Sequence, residues 1–228
     1  MKDNIRTLIV CANPSNTSRI QVDEEAREIS NCLQLGPFRD TFKLQTETAT
    51  TASDLQKLLM TYRPHIVHFS GHGHKEHKII LGGTKSRGQK VDQAGLAGLL
   101  ALYKRHLRLV LLNACFTSTQ AELISKAVQY AIGTSRPIGD KVAVTFAGAF
   151  YRALGFGKSV QEAFASAKAE LALTRLPKSR GFQLFVQKGA DQFPEIYKKK
   201  KRAIRGHVTR VHYQHTVHST FQRLEYSL

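Results

Sequence analysis

The sequence is short of cysteine and short of acid, and each shortage excludes a class of protein. Only Cys11, Cys32 and Cys115 occur among 228 residues. An odd number at irregular spacing rules out a small disulfide-stapled scaffold, and a reducing cytoplasm is the expected setting. No stretch approaches the ~20 apolar residues of a membrane span, and Met1–Arg6 lacks the make-up of a signal peptide. No membrane partner is therefore expected. Cys-x-x-Cys and His-Glu-x-x-His patterns are absent, and no Gly-x-Gly-x-x-Gly follows the first apolar run. Common zinc and dinucleotide signatures are thereby removed. There is no internal repeat and no linker-like stretch.

Acids number 17 against 34 lysines and arginines, a formal charge of +17. The excess is uneven. From Ile196 onward, Lys198–Lys201, Arg202, Arg205, Arg210 and Arg223 face only Glu225. Such a tail attracts phosphate backbones or acidic partners. Aromatic residues are sparse among these lysines and no nucleic-acid motif accompanies them, which favours a solvated appendage over a binding arm. The 42% apolar content supports a real core. The expected organisation is one domain over residues 1–190 and a basic C-terminal tail over 191–228.

Short apolar runs without polar alternation read as strands covered on both faces. Thr7–Ala12 is the first, closed by turn chemistry at Asn13–Asn16. Val22, Ala26, Ile29 and Leu33 recur at helical spacing, with Asp23–Glu25 in the first turn, where the helix dipole favours acids. Phe42–Thr46 alternates like a strand. Ser53 and Asp54 are cap candidates for a helix that Arg63-Pro64 stops. Ile66–Phe69 is a buried strand, and Lys78–Leu81 a short apolar run before Gly82-Gly83. Further helices are expected at 92–103, 119–128 and 140–155, and from Ser159, which forms a capping box with Glu162. Further strands are expected at Leu109–Leu112, Tyr130–Gly133 and Phe182–Val186. Strands alternating with helices across about 190 residues predict an α/β fold, a three-layer α/β/α sandwich with a mostly parallel six-stranded sheet.

Two strand ends carry chemistry. His68-Phe69-Ser70-Gly71-His72-Gly73 leaves one strand on a glycine-flanked histidine, and Leu112-Asn113-Ala114-Cys115 leaves another on a cysteine. Open parallel sheets gather ligands and catalysis beyond the carboxyl ends of their strands. If the two strands are neighbours, about 4.8 Å apart, His72 and Cys115 share one crevice. Cys115 also precedes a helix whose N-terminus favours a thiolate. His72 then serves as base and later as acid, and the backbone N–H groups of Gly73 and Cys115 form an oxyanion hole.

The chain resembles a bacterial CHAT domain, a caspase-like cysteine peptidase related to caspases and separase. The resemblance rests on Ala12-Asn13-Pro14, Asp23-Glu24-Glu25, the His68–Gly73 run and Leu112–Cys115. It continues through Ile132-Gly133, Ile138-Gly139-Asp140, Phe150-Tyr151, Ala153-Leu154 and Gly157–Val160, and covers about residues 5–188. It implies a caspase-like fold, with His72 as base and Cys115 as nucleophile in peptide-bond hydrolysis. It also implies a protein substrate, a sensor or activator protein as partner, and an effector's place in a bacterial signalling or defence pathway. Separase-like members place an acid after the fifth strand and select arginine. Asp140 stands at that place, so Arg or Lys is expected before the cut; the other role open to Asp140 is to cap its helix. Asn113 is expected to line the pocket. The Lys198–Arg202 run suits self-cleavage by such an enzyme. The competing expectation is a non-catalytic module of the same fold, binding nucleic acid or an acidic protein through its basic surface.

Five histidines lie between His65 and His77, yet His65 and His68 fall on opposite strand faces by alternation. No metal and no cofactor are expected, and His68 is read as a buried, hydrogen-bonded neighbour of the dyad.

Overall fold

The computed structural model describes residues 4–12, 22–48, 50–82, 88–176, 180–191 and 193. The turn expected at Asn13–Asn16, the Lys198–Arg202 run and nearly all of the basic tail lie outside the described residues. By its internal contacts the chain divides into units of residues 1–195 and 196–228. All that follows concerns the first.

Among the described residues, nine strands and six α-helices follow one another in an α/β order. Strand β1 is Ile5–Ala12, helix α1 Val22–Gln34, β2 Phe42–Thr48, α2 Ala52–Tyr62 and β3 Ile66–Gly71. Then come β4 (Gly73–His74), β5 (Lys78–Gly82), β6 (Gly88–Lys90), α3 (Gln93–Ala101) and β7 (Leu109–Asn113). The rest is α4 (Ser118–Ser125), β8 (Tyr130–Thr134), α5 (Asp140–Gly155), α6 (Val160–Thr174) and β9 (Phe182–Val186). The main sheet has six strands in the order β2-β1-β3-β7-β8-β9. Its pairs are parallel except β8 with β9. The expected mostly parallel six-stranded sheet is therefore present.

Alternation along these strands sorts the core into two faces. Leu8, Val10, Ala12, Val67, Phe69, Val110, Leu112 and Ala131 join one apolar cluster with Leu55 and Leu59 of α2, Leu96 and Leu100 of α3, and Ala121 and Ile124 of α4. A small cavity lies within this face, lined by Val10, Leu55, Val67, Phe69, Ile79, Leu96 and neighbours. On the other face Ile9, Ile66, Leu109 and Ile132 are buried, as are Ile29 of α1 and Phe146 and Phe150 of α5. The Phe146 ring stacks on Phe182 of β9 with centroids 3.7 Å apart. Burying chain-long apolar runs on both faces is what makes the parallel ladder stable.

Caps fix the helix starts. Ser159 accepts from the Glu162 amide while the Glu162 carboxylate accepts from the Ser159 amide, the expected capping box. At α2 the cap is Thr51, two to three residues earlier than the Ser53–Asp54 expectation, and Asp54 is the returning acid of the box. Helix α5 starts at Asp140, but its cap is Gly139 and no side chain makes the capping bond. The three short strands β4-β5-β6 form a separate antiparallel sheet directly after His72; only its β5 core was legible as an apolar run.

Candidate active site

Strands β3 and β7 are neighbours, paired in parallel from Ile66–Leu109 to Ser70–Asn113. His72 and Cys115 each lie two residues beyond that last pair, at the same edge of the sheet. Both are partly exposed, while Ile66–Ser70 and Leu109–Asn113 before them are buried. The backbones of the two exits come into direct contact. A Cβ on Gly73 would overlap the Cys115 carbonyl oxygen and lie 2.9 Å from the Cys115 nitrogen. Only a glycine permits that approach. The His72 carbonyl accepts from the Ile80 amide at 3.0 Å, which ties the histidine's own backbone to β5.

The cysteine loop is braced from below. Thr117 Oγ1 donates to the Leu112 and Ala114 carbonyls at 3.1 and 2.9 Å, and Thr134 Oγ1 donates to the Ala114 carbonyl at 2.5 Å. The Thr134 amide in turn donates to Thr117 Oγ1 at 3.0 Å. Phe116, immediately after the cysteine, takes a left-handed φ of 59°, a strained backbone for a bulky residue and one that tight packing must hold. His77 of the β4–β5 turn helps to hold it, with Nδ1 3.1 Å from the Phe116 carbonyl and its ring edge-on to the phenyl ring. Gln93 Nε2 anchors that turn by donating to the Glu76 and His77 carbonyls.

The sulfur of Cys115 faces the segment leading into α5. The Ile138 amide lies 3.4 Å from Sγ and the Ile138 carbonyl 3.6 Å from it. The other two cysteines are unlike it. Cys11 and Cys32 are buried, and desolvation pushes each thiol up to about 12, helped at Cys11 by the Glu25 charge and at Cys32 by a hydrogen bond to Glu28.

Asp140, two residues beyond Ile138, is exposed as the first residue of α5. The capping role open to it is not taken up, because Gly139 occupies the cap position. Asn113 is turned inward. It is 2% exposed, and its amide nitrogen donates to Glu25 Oε1 at 2.5 Å and to the Ala143 carbonyl at 3.0 Å. Both amide protons are thereby engaged inside the protein.

The residue that sequence reasoning missed is Glu25. It is 3% exposed, on the inner face of α1, with Ile29, Cys32 and Leu33. One oxygen meets His68 Nε2 at 2.6 Å and Asn113, and the other accepts from Ser70 Oγ at 2.5 Å. His68 is thus the buried, hydrogen-bonded residue expected of it. The Tyr151 hydroxyl is buried on the same face, where burial and then the Glu25 charge raise its pKa well above the usual phenol value. Asp23–Glu25 reads in sequence as first-turn acids, and only the inward phase of position 25 relative to Ile29 hinted otherwise. Among the described residues, no three His, Cys, Asp or Glu side chains gather as a metal would require. Nor is any described helix long and apolar enough to cross a membrane.

A family model described as CHAT domain matches residues 2–217. That span runs past residue 188, where the resemblance in sequence was read to end. A "Probable protease" of Gillisia limnaea is 25% identical over 158 residues, covering 68% of this chain and 28% of its own length. A "Roc-COR-CHAT protease" of an unknown prokaryotic organism is 24% identical over 184 residues, covering 78% of this chain and 17% of its own. The chain therefore spans less than a third of either curated relative. Among solved structures, a secreted C11 cysteine protease from Bacteroides thetaiotaomicron, in complex with an irreversible peptide inhibitor, superposes with a TM-score of 0.59 at 13% identity. It covers 80% of this chain and 66% of that one, and the likeness establishes the shared fold.

Proposed function

The chain belongs to the CHAT domain family, and from that premise we propose that it is a cysteine endopeptidase using Cys115 as nucleophile and His72 as base. The observation that carries this is the in-register parallel pairing of β3 with β7, which brings both residues to one edge two positions past Ser70–Asn113. His72 takes the thiol proton, and the sulfur attacks the peptide carbonyl carbon. The resulting oxyanion is met by the Gly73 and Cys115 N–H groups. His72 then gives its proton to the departing amine as the C–N bond breaks, and a water deprotonated by His72 hydrolyses the thioester. Two relatives named as proteases support the reaction class.

Arg or Lys is the residue we assign before the cut. Asp140 supports this because it is exposed, uncapping and two residues from the segment that touches the sulfur. A carboxylate there can take a guanidinium in two parallel hydrogen bonds, or an ammonium in one. A protein substrate presented by a sensor or activator fits a chain whose matched relatives carry the region within much longer proteins.

The test is cleavage of three peptides differing only in Arg, Lys or Asp before the cut, by wild type, Cys115→Ala and His72→Ala. Cys115→Ala should abolish cleavage, and His72→Ala should lower kcat by about 10²–10⁴, the usual worth of a positioned base. Equal cleavage by wild type and Cys115→Ala would remove the assignment of the nucleophile. Faster cleavage after Asp would remove only the role of Asp140.

A further inference from the structure

The pairing of β3 with β7 ends at Ser70–Asn113, and the side chains of that very pair converge on one carboxylate. Ser70 Oγ donates to Glu25 Oε2 at 2.5 Å, and Asn113 Nδ2 donates to Glu25 Oε1 at 2.5 Å. His68 Nε2, one step back on the same face of β3, closes the set at 2.6 Å. All four residues are at most 3% exposed.

We propose that Glu25 is a positioning residue whose carboxylate ties the ends of β3 and β7 together and so sets the separation of His72 and Cys115. The proposal rests on the dyad assigned above. Two residues of strand span about 6–7 Å, so the tie sits directly beneath both groups. The same amide nitrogen of Asn113 also donates to the Ala143 carbonyl, which brings α5, the helix opened by Asp140, into the same brace. Stability alone is a poor reason for the arrangement. A buried carboxylate loses several kcal/mol of hydration, and well-packed apolar residues commonly replace such groups without loss. The opposite face of the same two strands shows that an apolar solution is available here, since Phe69 and Leu112 belong to the hydrophobic core cluster.

Ser70→Ala removes one arm of the tie with little change in volume. Glu25→Gln keeps size and one acceptor oxygen but removes the second acceptor and the charge. Both variants should melt cooperatively and lower kcat by about 10- to 100-fold, as expected of a reacting pair displaced by a fraction of an ångström to an ångström, with KM nearly unchanged. The double variant should be no slower than the slower single, because both act through one carboxylate. A second readout separates positioning from damage to the fold. Alkylation of Cys115 by iodoacetamide at pH 7 should fall below the wild-type rate, toward that of His72→Ala. At about pH 9.5, where thiols ionise unaided, wild type and variants should converge. Wild-type kcat and wild-type alkylation at pH 7 in both folded variants would overturn the proposal, as would losses that merely track the unfolded fraction. Cleavage surviving in Cys115→Ala is a different pattern; it would remove the dyad, and the tie with it.

Discussion

Along β3, Val67 and Phe69 point to one face of the sheet and His68 and Ser70 to the other; along β7, Leu112 and Asn113 divide the same way. The first face is mainly hydrocarbon and packs on α2, α3 and α4. The second buries the lone hydroxyl of Thr7 near the start of β1 but carries a connected polar set toward the carboxyl ends, where Cys11, His68, Ser70 and Asn113 gather around Glu25. The polarity therefore follows position along the strand, and it appears on the face that continues into His72 and Cys115. One face holds the molecule together, and the other holds two loops in register at the expense of burying a charge.

That contrast can be broken in several ways. On the apolar face, Leu59→Ala removes a fully buried side chain of α2. It should cost about 2–5 kcal/mol in urea unfolding while leaving kcat per folded molecule intact. A loss of kcat without loss of stability would mean that this face also tunes the site. At the edge between the exits, Gly73→Ala forces the Cys115 backbone to shift, since the new carbon meets its carbonyl. A drop in kcat of about 10²–10³, the worth of one oxyanion donor, is expected with a smaller effect on stability. Thiol chemistry sharpens the comparison further. Cys11 and Cys32 are buried with pKa values pushed to about 12, so iodoacetamide at pH 8 should add one label per chain, at Cys115, by intact mass and peptide mapping. Labelling of Cys11 first would contradict the burial of the polar face.

The smallest effect concerns a helix start remote from either face. Ser159→Ala should cost about 1 kcal/mol in a thermal melt. The Glu162 carboxyl is held below the usual carboxylate range by the Ser159 amide and hydroxyl and by Lys158. A lowered folded-state pKa adds stability above the unfolded value, and that increment is lost as pH falls from about 4.5 through the folded value. The penalty of Ser159→Ala should therefore shrink in that acid window, measured as the difference in melting temperature between the two proteins.

Much of this was legible beforehand for a physical reason. A strand buried on both faces must be an unbroken apolar run, so Leu8–Ala12, Ile66–Phe69 and Leu109–Leu112 announce themselves, and Cys115 and the Gly71-His72-Gly73 run stand out at their ends. The β4-β5-β6 sheet was not legible, because two of its strands are two and three residues long and partly exposed. The cap of α2 lies two to three residues before the expected one because Thr51, Ser53 and Asp54 are all capable caps, and the returning acid decides among them.

Residue order by itself determined the alternation of strands and helices, the parallel character of the sheet and the two residues offered to chemistry, because burial and spacing act locally along the chain. The tertiary structure decided which strands are neighbours, that Asn113 turns inward while Asp140 stays in water, and that one acid of three in the first turn of α1 lies under the site. Those choices depend on contacts between segments tens of residues apart, and a carboxylate with three buried donors looks, in sequence, the same as one facing solvent.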